Sequence, residues 1–372
     1  MSLALYRKYR PKTFKEIIGQ EHIVKTLTNQ ICSGMISHAY LFSGPRGTGK
    51  TTMARLLAKA VNCENRKPNE FEPCNRCSSC IEINQNRAID LIEIDAASNR
   101  GIDEMRELRK GISFTPSKSK YKVFIIDEAH QLTREAANAL LKTLEEPPAH
   151  VIFILATTEI QKMIATILSR CQRFDFWNLT LAQITQRLEL LCKKEKIEIE
   201  KPALELIATQ ARGSIRDAES LLDQVISFSY TLDQKAKITK EQIKHLLGIV
   251  DLSSVSQFVD FLAQRNASKT IAYLQEILEK GNDPQEFIKT LIDYLRKGLL
   301  LKINPDLQNH SGIGLTKEEI EKLQTQTKAF SESELQKLLQ LFLQAENQIK
   351  YSSIPQLPIE LAVVEAIGEN KK

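Results

Sequence analysis

A chain of 372 residues with 42% hydrophobic content is long enough for two or three domains with apolar cores and does not have a disorder-prone composition. Lys and Arg total 51 against 46 Asp and Glu, a net charge of +5, which permits nucleic-acid contact without demanding it and confines any basic face to a local patch. No apolar run approaches about 18 residues, so no membrane-spanning helix is expected. The opening MSLALYRKYRPK has too short an apolar part for a signal peptide, and a cytoplasmic protein is expected.

In chain order, Pro11 breaks a basic opening, and a helix is predicted from near Glu21 to Ser33 with Gly34 as its stop. Tyr40, Leu41 and Phe42 then read as a short buried strand ending at Ser43. Directly after it, Gly44-Pro45-Arg46-Gly47-Thr48-Gly49-Lys50-Thr51 fits G-x-x-x-x-G-K-[ST], and Met53, Leu56, Leu57 and Ala60 recur at helical spacing behind it. A strand, this loop and a helix in succession form a phosphate cradle. Gly44, Gly47 and Gly49 let backbone N–H groups curl around phosphate oxygens, and the helix N-terminus adds partial positive charge. An ATP site is expected here, with Lys50 reaching the β- and γ-phosphates, Thr51 holding Mg²⁺ through its hydroxyl, and Thr52 within the same cradle.

Next come Cys63, Cys74, Cys77 and Cys80, four of seven cysteines, in a C-x₁₀-C-x₂-C-x₂-C pattern within a polar insertion. An odd cysteine count argues against a fully paired disulfide framework, and four thiolates here suit a closed tetrahedral Zn²⁺ site of structural type. An iron–sulfur cluster and four unliganded cysteines remain alternatives. The insertion has no obvious apolar core, so a metal would replace one.

Further strand-like runs follow at Leu91–Asp95, Val123–Ile126, Val151–Ala156 and Arg173–Phe176, separated by helical patterns. Alternation of this kind predicts a parallel sheet with helices on both faces and its ligand at the carboxyl ends of the strands. Asp127 and Glu128 stand at such an end. Asp127 is expected to ligate Mg²⁺ and Glu128 to polarise the attacking water, the alternative being solvated turn carboxylates. His130 is assigned no role. From 179 to 243 a compact helical unit is expected, with a Leu181, Ile184, Leu188 and Leu191 stripe, a helix from Pro202 to Gly213, and Ser214-Ile-Arg-Asp217 opening the next. Arg216 then falls in a first helical turn, against the dipole, a conflict that an anionic ligand would resolve unless the side chain is simply solvated. From about 244 onward apolar stripes such as Phe287, Ile288, Leu291, Ile292 and Leu295, or Leu335, Leu338, Leu339, Phe342 and Ile349, are preceded by Asp283-Pro284 and Ser331-x-x-Glu334 start signals.

The segments YRKYRPKTFKEIIGQEHI, GPRGTGKT, the four-cysteine insertion, EIDAASNRGIDEMRELR, VFIIDEAH, ALLKTLEEPP, LATTE, ILSRC and GSIRDAESLLDQ together carry a resemblance. The chain resembles the AAA+ ATPases and, within them, the gamma/tau family of bacterial DNA polymerase III, the motor of the sliding-clamp loader. The resemblance implies an AAA+ domain over residues 1–178 with its zinc module at 63–80, a helical lid at 179–243, and an all-α collar at 244–372. It places Tyr9, Arg10, Pro11 and the Ile17-Ile18-Gly19 neighbourhood on the adenine side. Thr158 takes the sensor 1 position, with Thr157 an adjacent candidate; Arg170 is the arginine finger offered to a neighbouring subunit, and Arg216 is sensor 2. Implied partners are further gamma/tau copies and the delta and delta-prime subunits in a pentamer, the sliding clamp, and primer-template DNA held by its backbone. Arg100, Arg106 and Arg109 are the DNA-contact candidates. A DNA-stimulated ATPase is therefore expected, with another AAA+ DNA remodeller or a non-hydrolysing loader scaffold as alternatives. Members of tau type carry a long tail after the collar, so a gamma-like short form or a truncated chain is expected.

Overall fold

The computed structural model describes residues 4–98, 111–112, 114–229, 237–248, 251–305 and 316–368. Arg100, Arg106 and Arg109 lie outside the described residues. The chain forms two compact units, Met1–Lys240 and Glu241–Lys372.

The first unit is built on five parallel strands, β1 (Ala39–Ser43), β2 (Leu91–Asp95), β3 (Lys122–Asp127), β4 (Val151–Thr157) and β5 (Gln172–Asp175), in the order β2-β3-β4-β1-β5. All residues of β1 and β4 are buried, which is why these strands read as continuous apolar runs rather than alternating ones. Side chains still segregate with the period of two. Tyr40, Phe42, Val123, Ile125, Ile152 and Ile154 face helices α2 (Glu21–Ser33) and α3 (Lys50–Val61). Leu41, Phe124, Ile126, Phe153 and Leu155 face a helix at Arg134–Glu145 on the other side. Each such side chain contributes roughly 1.5–3 kcal/mol of burial, so the sheet is a rigid platform. α2 occupies the span its sequence predicts, and Gly34 ends it in the left-handed conformation at φ 72°. A short helix, Leu5–Lys8, precedes it and is α1.

Within the same unit, α4 (Ser78–Asn84), α5 (Arg134–Glu145) and α6 (Ala165–Leu168) fill the connections, and α7 (Leu181–Glu195), α8 (Lys201–Gln210) and α9 (Ile215–Ser229) follow β5. A reciprocal capping box between Thr180 and Gln183 starts α7. Its apolar stripe begins a turn later than the sequence suggests. Ile184, Leu188 and Leu191 are fully buried, whereas Leu181, in the first turn, is 48% exposed. Arg187 of α7 donates through Nε to Glu219 of α9 at 2.9 Å and through Nη2 to the Tyr9 carbonyl at 2.6 Å. This buried pair ties α7, α9 and the N-terminal arm together. Burial raises the Glu219 carboxyl pKa, with Arg187 and Arg10 opposing.

The second unit is helical: α10 (Lys240–Leu246) enters it, then α11 (Leu252–Ala263), α12 (Ala267–Glu279), α13 (Pro284–Ile303), α14 (Lys317–Thr327), α15 (Glu332–Ile349) and α16 (Leu357–Gly368). Phe258, Phe287, Leu291, Leu295, Leu335 and Phe342 form its core. Asp283 caps α13 by accepting from the N–H groups of Gln285 and Glu286, and Ser331 with Glu334 forms the capping box of α15. α16 is apolar nearly all round, leaving Leu361 and Val364 more than half exposed.

Candidate functional site

Because the strands run parallel, their carboxyl ends share one edge, with Ser43 in register with Thr157 and Asp95 with Asp127. The chain leaves β1 at this edge through Gly44, Gly47 and Gly49, whose φ values are 147°, 76° and 102°. Two of these glycines also permit close approach. A Cβ on Gly44 would lie 2.4 Å from the Phe176 carbonyl oxygen, and one on Gly47 only 1.9 Å from Ser214 Oγ. The Ile215 N–H donates to the Gly47 carbonyl at 3.2 Å, so the start of α9 sits against the loop.

Lys50, the first residue of α3, is 6% exposed and donates through Nζ to the carbonyls of Gly44 at 2.7 Å and Pro45 at 2.8 Å. Burial lowers its pKa, while Glu128 and Asp127 pull it upward. Thr51 Oγ1 donates to Asp127 Oδ2 at 2.7 Å, and the Glu128 N–H donates to Asp127 Oδ1 at 3.0 Å. Glu128 itself holds the left-handed backbone, φ 49° and ψ 44°, which costs a non-glycine residue roughly 1–2 kcal/mol and is common where a side chain must be aimed. Its Oε2 accepts from Thr158 Oγ1 at 2.9 Å.

These groups open on a cleft of about 270 Å³. Of the residues expected from sequence, Arg10, Pro11, Ile17, Ile18, Arg46, Gly47, Thr48, Gly49, Lys50, Thr51, Thr52, Asp127, Glu128 and Arg216 line it. Gly44 and Pro45 meet it through the carbonyls that hold Lys50. Others lie elsewhere. The Tyr9 ring faces Lys8 and Lys194, with ammonium groups 5.2 and 5.3 Å from its centroid, and reaches the site only through its carbonyl's bond to Arg187. Gly19 abuts the Gln183 side chain of α7. Arg170 is not among the cleft residues; it pairs with Glu145 at 2.5 Å and with the Thr166 carbonyl at 2.8 Å.

Sequence reasoning missed Tyr6, Arg7, Glu16, Leu179, Arg187, Ile215 and Glu219 as part of the wall. Tyr6 also answers the Arg216 conflict in an unexpected way: the guanidinium carbon lies 5.0 Å from the Tyr6 ring centroid, a cation–π contact. Arg10, across the cleft, has its pKa lowered by burial and by the like charges of Arg55, Arg216 and Arg7, with Glu93 opposing. A cluster of cations above a glycine loop is suited to a polyphosphate. His130, unassigned on sequence grounds, buries its side chain beside Glu128 and Thr157.

The four cysteines of the insertion converge, with all Sγ atoms within 4.8 Å of one another. Cys74 and Cys80 are 4.0 Å apart. A tetrahedral ion with bonds of about 2.3 Å would set its thiolates about 3.8 Å apart, so the site fits one metal ion and is too tight for a multi-iron cluster. The Arg76 and Cys77 N–H groups donate to Cys74 Sγ at 3.4 and 3.3 Å, and the Cys74 N–H donates to Cys63 Sγ at 3.3 Å. Backbone N–H donors of this kind stabilise metal-bound thiolates. Cys63 belongs to the set despite its long spacing.

The sheet order, the glycine loop and the strand-end acids define an AAA+ type P-loop protein with a helical lid and a helical C-terminal region. Family models match along the chain: DNA polymerase III, delta subunit, over residues 19–180; the DNA polymerase III clamp loader subunit ATPase lid domain over 183–231; and DNA polymerase III subunits gamma and tau domain III over 238–371. DNA polymerase III subunit gamma of Buchnera aphidicola subsp. Schizaphis graminum is 38% identical over 99% of both chains. The tau subunits of Bacillus subtilis and Escherichia coli are 44% and 36% identical over 97% and 98% of this chain. The chain belongs to the gamma/tau family of DNA polymerase III clamp-loader subunits. It spans 62% and 55% of the length of those two tau relatives. Among solved structures, the Thermotoga maritima RuvB Holliday junction branch migration motor superposes with a TM-score of 0.49 at 20% identity, covering 72% of this chain and 85% of that one, too distant a likeness to bear on function. No described helix is long and apolar enough to cross a membrane.

Proposed function

We propose that this chain is the ATP-driven motor subunit of the sliding-clamp loader, hydrolysing ATP to open the clamp and load it on primer-template DNA. The observation that carries the reading is the meeting of Thr51 and Asp127 at 2.7 Å beside Lys50 and Glu128, since phosphoryl transfer needs a cation site, a phosphate-binding lysine and a water-orienting carboxylate in one place. Mg²⁺, when bound by Thr51 and Asp127, would neutralise charge on the phosphate oxygens. Lys50 and the loop N–H groups hold the phosphates, Glu128 orients water and takes its proton, and Thr158 steadies the Glu128 carboxylate. Arg216 reaches the γ-phosphate from α9.

Arg170 is offered to a neighbouring subunit's site, in keeping with its place outside the cleft wall of its own chain. Hydrolysis then depends on assembly with other gamma/tau copies and the delta and delta-prime subunits. The exposed apolar side chains of α16 suit a collar that holds such a pentamer, within a domain division at about 178 and 243. Zinc is the ion that four clustered thiolates favour, in a structural role and a reducing, cytoplasmic setting. Arg100, Arg106 and Arg109 remain the candidates for the DNA backbone.

Steady-state ATP hydrolysis by the chain, alone and then with delta, delta-prime, clamp and primed DNA, tests the reading. A large stimulation on assembly, lost in Arg170→Ala, is expected. Unstimulated hydrolysis indifferent to Arg170 would mean a self-contained ATPase and sink the shared-site motor.

A further inference from the structure

His130 has 3% of its side chain exposed and is packed against groups that the proposed reaction uses. Its Nδ1 lies 3.0 Å from Thr157 Oγ1 and 3.5 Å from Glu128 Oε2. On the far side of the ring, Nε2 lies 3.0 Å from the Gln131 amide and 3.3 Å from Glu159 Oε1. Glu159 is in turn paired with Lys162 at 2.7 Å. Thr157 is itself anchored: its carbonyl accepts from the Gly44 N–H at 3.2 Å, and its Oγ1 accepts from the Glu159 N–H at 3.1 Å. The imidazole therefore stands on the strand that touches the phosphate loop and reaches toward the carboxylate beside it.

The two contacts to the Glu128 carboxylate fall on the same atom. Thr158 Oγ1 donates to Oε2 at 2.9 Å, and His130 Nδ1 approaches the same Oε2. Thr158 donates to Oε2 and the imidazole, whose own hydrogen bond is to Thr157 Oγ1, packs 3.5 Å from that same oxygen, which leaves the other, Oε1, as the atom that accepts a proton from water. They also hold the carboxylate plane against rotation about its last torsion, which is otherwise broad.

We propose that His130 is a positioning residue for ATP hydrolysis: with Thr158 it fixes Glu128 Oε2 and so selects Oε1 as the general base, its own ring held from behind by Glu159 and Gln131. The inference rests on the reading of Glu128 as the water-orienting carboxylate. His130 touches neither nucleotide nor water in this scheme and acts only through Glu128.

Three substitutions separate positioning from simple packing. His130→Asn keeps a hydrogen-bonding group where Nδ1 stands, His130→Gln keeps one where Nε2 stands, and His130→Ala keeps neither. In the full chain assembled with its loader partners, kcat should fall on the order of 10- to 100-fold in the Ala and Gln variants, the range for losing one polar contact to a charged group. The Asn variant should recover most of that loss. The Kd for a non-hydrolysable ATP analogue should stay within about twofold in all three, because ground-state binding is untouched. An Ala variant with full kcat, Asn and Gln variants equally impaired, or Kd rising in step with the loss of kcat would each overturn the proposal. Glu128→Gln is run beside them. If it hydrolysed ATP at the full rate, the assignment of Glu128 itself would fall; if it were inactive while His130→Ala was normal, only the positioning role would.

Discussion

The nucleotide cleft and the cysteine module hang from opposite ends of α3, yet they are held together differently. At the N-terminal end, Lys50 opens α3 beside Asp127 and Glu128, which stand at the end of a sheet whose strands β1 and β4 are completely buried. Their geometry follows from apolar packing, with polar groups set on its rim. At the C-terminal end, Cys63 begins an insertion in which Phe71 leans edge-on against Phe14 at 6.3 Å and few apolar side chains, Pro73, Cys77, Cys80 and Ile83, are buried before β2. A deep scaffold can present charged residues in place without a ligand. A shallow one needs the ligand as its core.

Metal removal should break this contrast most visibly. With the proposed zinc on the four thiolates, stripping it with a chelator should forfeit binding free energy on the order of 10 kcal/mol, and amide exchange across residues 63–84 should accelerate by orders of magnitude while β1 and β3 stay protected. Equal loss of protection in module and sheet would mean that the two regions are one cooperative unit.

A smaller effect is expected at the cleft, where the backbone and not a ligand is the sensitive element. Gly47→Ala places a Cβ 1.9 Å from Ser214 Oγ at a φ of 76°, and Ser214 cannot swing away freely because its Oγ accepts from the Asp217 N–H at 3.2 Å. We expect a loss of about 1–3 kcal/mol in stability and ATP binding weakened about tenfold or more, read by calorimetry. Gly34→Ala is the control, with a similar φ of 72° and nothing within 4 Å of the added carbon. Its cost should be about 1 kcal/mol, with ATP binding unchanged. Equal effects at the two positions would show that close approach of α9 to the loop is unimportant.

The smallest effect lies where the module returns to the sheet. Burial pushes the Asp90 carboxyl upward, but N–H groups of Ser117, Lys118 and Ser119, at 2.8–2.9 Å, together hold its pKa below the usual range. A depressed folded pKa means that this stabilisation is fully present above the unfolded value of about 3.9 and is lost as pH falls through the folded one. Asp90→Asn should therefore cost about 1–2 kcal/mol at pH 7 in urea titrations and flatten the fall in stability on acidification. Parallel pH profiles for both forms would remove Asp90 from the account.

Much of the architecture was legible from residue order because its causes are local. The five strands fall within a residue or two of their apolar runs, and the span of α2 is readable from Glu21 to Gly34 because the amphipathic period and a left-handed stop are both short-range properties. Leu181 marks the limit of that reasoning, since a residue in the first turn of a helix satisfies the apolar spacing while still pointing outward. The Tyr9 assignment marks another. Tyr6 and Tyr9 are equally plausible wall residues in YRKYR, and only the path of α1 puts the first on the cleft and the second between two lysines.

What the sequence determined by itself was the chemistry: a glycine loop before a helix, two acids at a strand end and four thiols in a poorly apolar insertion, each specified by neighbours a few residues away. The tertiary structure decided who meets whom across long separations. It brought Arg187 to the Glu219 carboxylate and the carbonyl of Tyr9, stacked Arg216 on Tyr6, turned Glu128 into a left-handed backbone and buried His130 beside it. Such pairings are set by how helices settle on a sheet, a balance of many weak contacts that no local pattern encodes.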